Sequence, residues 1–268
     1  MTITARNNTI RASLGLSLLL LIGFVGVLVD TYFVHPSGVG LLQVLRGGYT
    51  DIRALSLVSI LLLVVYSVAG GILLHTFFRK TVSSEMFFFT FFVISMSLEA
   101  ARIADLLIVA QNVPAYYEVV VTRAVYFGRF LGVFCLFTSG LYATGIDYQR
   151  FEIVLGISLL LAFTLAFSIP VTSEAGAPTL VNRLGNRSQL LSVFFALELF
   201  SVLNFLLASF LKRNREYIWM AVGLFLVIVG KDILFFFVSP FPDAAAALLL
   251  FGGTLLFGNR THIVYLWS

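Results

Sequence analysis

Residues 86–110 read MFFFTFFVISMSLEAARIADLLIVA, and this stretch decides the fold. It contains neither proline nor glycine. Its length exceeds the roughly 20 residues a helix needs to cross the hydrocarbon core of a bilayer. The second half carries Glu99, Arg102 and Asp105. Ionisable groups at membrane depth are tolerated where they face protein or water, and there they mark pockets, pathways or ties between helices. The stretch is therefore expected to be a membrane-spanning helix with one polar face turned into a bundle.

Composition extends that reading to the whole chain. Of 268 residues, 60% are hydrophobic and only 11% charged, and the mean hydropathy is +1.02. A soluble domain carries about 25% charged residues. So little charge cannot solvate a surface of this size, and lipid must cover most of it. The expected class is all-α, a polytopic transmembrane helix bundle forming one integral membrane domain over residues 1–268, with no soluble domain. The net charge of +4 is not a nucleic-acid signature, because Lys and Arg gather at the span ends. Cys135 is the single cysteine and reads as a small buried hydrophobe.

Seven spans are clear: Ala12–Tyr32, Ala54–Phe78, Met86–Ala110, Tyr126–Gly145, Val154–Val171, Gln189–Leu211 and Tyr217–Val238. The first follows Arg6 and Arg11, outlasts a signal-peptide core and lacks a cleavage site, so it reads as uncleaved. An eighth, Ala244–Phe257, is expected to be short. Its fourteen residues rise roughly 21 Å, and Gly258, Asn259 and Arg260 interrupt it.

Positive charge sets the direction. With the N-terminus cytoplasmic, the inner ends hold Arg6, Arg11, Arg79, Lys80, Arg150, Lys212, Arg213, Arg215 and Arg260. The outer side holds Arg46, Arg53, Arg123, Arg183 and Arg187, so nine stand against five. The plasma membrane is the expected location. Tyr116, Tyr117 and Tyr126 are expected in the outer aromatic belt. The loops Phe33–Arg53 and Thr172–Ser188 fall outside and read as connectors.

A weak four-plus-four parallel repeat is legible between residues 1–150 and 151–268. Leu14-Gly-Leu-Ser echoes Leu155-Gly-Ile-Ser, Arg53 matches Arg187 and Glu85 matches Glu216, at separations of 141, 134 and 131 residues. Apolar spans match one another by chance, which weakens the signal. Repeats of this kind occur in transporters.

Other spans add Arg129, Glu198, Lys231 and Asp232 to the charges of the third. On an ideal α-helix Glu99, Arg102 and Asp105 fan across about 120° of one face. Alternating span directions put the whole set at or outside the midplane, which predicts one polar cavity in the outer half. The competing reading makes the charges interhelical clamps. For Arg129 the clamp is favoured, because Gly128 and Gly132 form a small-xxx-small pair that lets helices approach closely. Asp232, next in sequence to Lys231, is expected to point about 100° away from it. Lys231 in a seventh helix stands where microbial rhodopsins hold retinal. However, neither Trp219 nor Trp267 is placed mid-membrane to line a retinal pocket, so no cofactor is expected.

No metal-ligand spacing, phosphate loop or nucleophile elbow is present, so no catalytic or metal-binding residue is assigned. The phenylalanine runs 87–89 and 235–237 read as lipid-facing and packing bulk rather than cages. The leading expectation is a receptor-like or accessory membrane module acting with a partner membrane or signalling protein. The alternative is a small oligomeric transporter or channel that uses the intramembrane charges for ion or proton coupling. A membrane-embedded lipid-modifying enzyme comes third. The lipid bilayer is the one certain partner, a homo-oligomer is compatible with each reading, and nucleic acid is excluded.

Overall fold

In the computed structural model, residues 3–30, 52–78, 83–104, 107–108, 114, 116–146, 150–172, 181–237 and 239–266 are described. The spans are α1 (Ile3–Val29), α2 (Ile52–Phe78), α3 (Ser84–Ser95) continued by a 3-10 helix (Met96–Ile103), and α4 (Tyr116–Ala143). After these come α5 (Phe151–Ser168), α6 (Arg187–Leu211), α7 (Glu216–Phe236) and α8 (Pro240–Leu266). Among the described residues, eight helices are long and apolar enough to cross a membrane, so the chain is an all-α, multi-pass integral membrane protein.

Boundaries follow local chemistry. Ser83 caps α3 by accepting from the Met86 amide at 3.2 Å, and Asn186 caps α6 by accepting from Ser188 at 3.2 Å. The α6–α7 turn puts Arg213 at φ 50°, and Asn214 Oδ1 accepts the Glu216 amide at 3.0 Å. The eighth span differs from its expected short form. α8 continues through Gly258–His262 as one 27-residue helix. Arg260 does not end it because Glu216 of α7 pairs with its guanidinium at 3.1 Å. α4 likewise begins ten residues before its expected start.

Around the bundle, α2, the third span, α4, α6, α7 and α8 each pack on the next, and α8 returns to α2. α1 lies outside against α2 and the 3-10 helix, and α5 lies outside against α4. Glycines set the closest approaches. At Gly223 an added Cβ would stand 2.9 Å from Gly253 O, and at Gly253 one would stand 2.6 Å from Gly223 O. α7 and α8 therefore touch backbone to backbone.

Among the described residues, the only extended pairing is a two-residue antiparallel ladder, Val171–Thr172 (β1) with Arg183–Leu184 (β2). It buries Val181 and Leu184 against the bundle, and Asn182 donates to Glu118 at 3.3 Å. The connector thus packs on α4 and α6 at its described ends, while the loop at 33–51 lies outside the described residues. Tyr126 is buried rather than in an aromatic belt, whereas Tyr116 and Tyr117 are exposed. Phe87, Phe88 and Phe89 are fully packed, with Phe88 stacked on Tyr142 and Phe89 on Phe257, so this run faces the core and not lipid.

Candidate functional site

The third span changes its winding where its charges begin. The run Met96–Ile103 is long for a 3-10 helix. Serine hydroxyls occupy carbonyls at the junction. Ser95 Oγ donates to Phe92 O at 2.7 Å, Ser97 Oγ to Ile94 O at 2.8 Å, and Ser67 Oγ of α2 to the same Ile94 O at 3.1 Å. Hydroxyls that bond nearby carbonyls compete with the regular helical ladder. Three residues per turn make positions i and i+3 eclipse. Glu99 and Arg102 therefore stack directly rather than fanning apart as on an α-helix, and Arg102 Nη1 donates to Glu99 Oε2 at 3.3 Å.

α4 reaches this stack because two of its residues lack side chains. A Cβ at Gly128 would lie 2.7 Å from Leu98 Cβ, and one at Gly132 would lie 2.7 Å from Ser95 Oγ. Arg129 stands beside the first of these. Its Nη1 lies 3.9 Å from Glu99 Oε1, and its Nη2 donates to Asp232 Oδ1 at 3.3 Å. Lys231 Nζ lies 3.3 Å from the same Asp232 oxygen and donates to Glu198 Oε1 of α6. The result is one alternating chain of charges: Arg102, Glu99, Arg129, Asp232, Lys231, Glu198.

Six of the seven charged residues singled out from the sequence thus meet, and Asp105 lies outside the described residues. Asp232 and Lys231, neighbours in sequence, nonetheless meet, with Lys231 Nζ 3.3 Å from Asp232 Oδ1. Three positive and three negative groups make the chain neutral. The side chains of Arg102, Glu99, Arg129, Lys231 and Glu198 are at most 9% exposed, whereas Asp232 is 27% exposed.

Aromatic rings complete the surroundings, contrary to the reading of the phenylalanine runs as mere bulk. The Arg129 guanidinium lies 3.5 Å from the Phe235 ring centroid, 5.2 Å from that of Phe236 and 5.6 Å from that of Phe194. Arg102 lies 4.8 Å from the same Phe235 ring. Ring faces attract a desolvated cation, and they compensate Arg129 where its buried Nη1 has no hydrogen-bond acceptor. The Arg123 guanidinium lies 5.4 Å from the Phe167 ring centroid.

Asp232 is shared by Arg129 and Lys231, so any charge that competes for Asp232 alters both ends of the chain. Among the described residues no group of three or more His, Cys, Asp or Glu is disposed to hold a metal ion.

Two buried carboxylates escaped sequence reasoning. Glu85 accepts from Ser83 Oγ at 3.0 Å and from the Tyr265 hydroxyl at 2.5 Å. Asp243 accepts from Ser59 Oγ at 3.0 Å, and its other oxygen is buried without a hydrogen bond. Both sit in first helical turns, where an acid is ordinary. Their burial depends on residues 180 and 184 positions away, which no local pattern reveals.

No protein-family model matches the chain, and no curated protein matches it.

Proposed function

We propose that the protein is a receptor-like or accessory membrane module of the plasma membrane in which the six-residue charge chain is a latch, read by a partner membrane or signalling protein. One observation carries this reading. The latch is neutral and enclosed at five members but reaches the surface at Asp232. A ligand or partner charge that engages Asp232 competes for Arg129 and Lys231 and so loosens the third, fourth, sixth and seventh spans together. With the N-terminus cytoplasmic, α7 runs outward and carries Asp232 into the outer half of the membrane. Breaking one member of such a chain leaves an uncompensated buried charge, which supplies the energy difference between two states.

Crosslinking in native membranes tests this, with unmodified and Asp232→Asn chains compared. The expected result is a partner protein captured in stoichiometric amount, with the crosslinked positions shifting in the variant. Recovery of the chain alone from native membranes sinks the proposal.

A second reading, a small oligomeric transporter or channel, is favoured by the break in the third span. Departures from α-helical winding at membrane depth gather where transporters bind ions and substrates, and here Glu99 and Arg102 lie within one. Ion or solute flux in proteoliposomes that is lost in Glu99→Gln and Lys231→Met would replace the first proposal. Absence of flux across a broad panel removes the second.

A further inference from the structure

The end of the bundle formed by the α6–α7 turn and the last turns of α8 has no part in the charge latch. A cleft of about 480 Å³ opens there. Its polar side is lined by Lys212, Asn214 and Tyr217, and its apolar side by Ile263, Val264 and Tyr265. The one acid in the lining, Glu216, is already paired with Arg260 at 3.1 Å. Lys212 donates to the Tyr217 hydroxyl at 3.0 Å and lies 4.8 Å from the centroid of that ring, and among the described residues no carboxylate pairs with it. Arg213 and Arg215 are exposed on the same turn, and among the described residues neither makes an ion pair. The backbone of the turn that carries these cations is held, because Asn214 N donates to Ser209 O at 3.2 Å while its side chain caps Glu216.

The surface beside the cleft is apolar. Phe210, Leu211, Ile218 and Trp219 are all exposed. Cations and aromatic rings sharing a helix end belong at the boundary between lipid and water. We infer that this cleft binds the phosphate headgroup of an anionic phospholipid, whose chains lie along the exposed apolar side chains of α6 and α7. Three cations without a carboxylate partner among the described residues, Lys212 in the lining and Arg213 and Arg215 on the same turn, call for an anion. The apolar wall and the flanking apolar surface call for one that carries hydrocarbon, which a free phosphate does not.

Trp219 can report occupancy, because the Arg260 guanidinium bonded to Glu216 lies 5.6 Å from its ring. Trp267→Phe leaves Trp219 as the sole tryptophan. The full chain in that background is reconstituted in vesicles in which either phosphatidylglycerol or phosphatidylcholine is brominated. The expected preference for quenching by the anionic lipid is about fivefold or more, as one juxtamembrane cation contact suffices to give. It falls to near parity in Lys212→Gln/Arg213→Gln/Arg215→Gln. It is unchanged in Arg150→Gln, which removes an exposed cation elsewhere. If the triple variant loses helicity or elutes as aggregate, the single Lys212→Gln and Arg213→Gln variants are read instead, each lowering the preference. Equal quenching by both lipids in the unmodified chain overturns the site, as does a preference that survives in every folded variant. Loss of the preference in Arg150→Gln alone reassigns it to the general surface field. Its abolition by inorganic phosphate at matched ionic strength assigns the cleft to a free anion and overturns the lipid.

Discussion

Lys231 and Glu198 form a buried pair whose removal should depend on how it is done. Removing one partner leaves a bare charge in a low-dielectric interior, which costs about 3 kcal/mol or more, whereas replacing both with apolar groups of similar volume is often neutral. Lys231→Met and Glu198→Leu are each expected to lower the unfolding temperature in detergent micelles, and the double variant is expected to recover most of the loss. A double variant as unstable as the sum of the singles would show that Glu198 and Lys231 are not coupled. Asp232 would then hold Lys231 by itself. The Phe235 ring offers a second test, since two guanidiniums lie within 4.8 Å of its centroid. Phe235→Leu keeps the apolar volume and removes the ring face, so it should cost about 1–2 kcal/mol. The same substitution in an Arg129→Leu background should cost clearly less, measured by the same unfolding assay. At this scale the sequence made the charges visible, because seven ionisable residues stand out in apolar runs. Their pairing was not visible. Glu198 and Lys231 lie 33 residues apart and Arg129 and Asp232 lie 103 apart, distances over which no periodicity in a single chain speaks.

Span existence was legible from hydropathy and length, and so was the glycine pair that admits α4. What hydropathy does not register is compensation between elements. Arg260 reads as the end of a short eighth span when taken alone, but Glu216 on the neighbouring helix neutralises it and the helix runs on. The 3-10 winding of the third span was hidden for a related reason. It depends on Ser67 of α2 reaching Ile94 O as well as on the local serines. The junction predicts a specific steric coupling. At Gly132 a methyl group would meet Ser95 Oγ at 2.7 Å and the Phe92 ring at 3.3 Å. Gly132→Ala should therefore destabilise by about 1–3 kcal/mol, the usual cost of overpacking. Ser95→Ala removes the nearer obstacle, so the double variant should be more stable than Gly132→Ala alone. Thermal unfolding of the three variants side by side decides this, and additive losses would mean that α4 does not approach the third span at this point.

Across the whole molecule, the charge chain divides evenly between the two halves. Residues 1–150 contribute Arg102, Glu99 and Arg129, an excess of one positive charge, and residues 151–268 contribute Asp232, Lys231 and Glu198, an excess of one negative charge. Arg129 to Asp232, at 3.3 Å, is the link between them. Among the further seams that join the halves, two lie on either side of the bundle. On one, Tyr66 meets Thr254 at 2.5 Å and Ser59 meets Asp243 at 3.0 Å between α2 and α8. On the other, Gly140 of α4 packs so closely on α6 that an added Cβ would lie 2.9 Å from Ser201 O. These seams predict that fragments 1–148 and 149–268, expressed together as separate chains, assemble and copurify, with Arg150 kept on the second to hold its orientation. Arg129→Glu in the first fragment sets a carboxylate against both Glu99 and Asp232, and recovery of the pair should fall about tenfold, equivalent to ~1.4 kcal/mol. Asp232→Arg in the second fragment restores an attraction across the same gap and should recover much of the loss. Failure of the unmodified fragments to copurify would show that the seams form only in a continuous chain. A charge swap without recovery would show that Arg129 and Asp232 are neighbours but not the link. Recovery by the swap would make this one contact the place where an outside charge could uncouple the two halves, which is the property the latch requires.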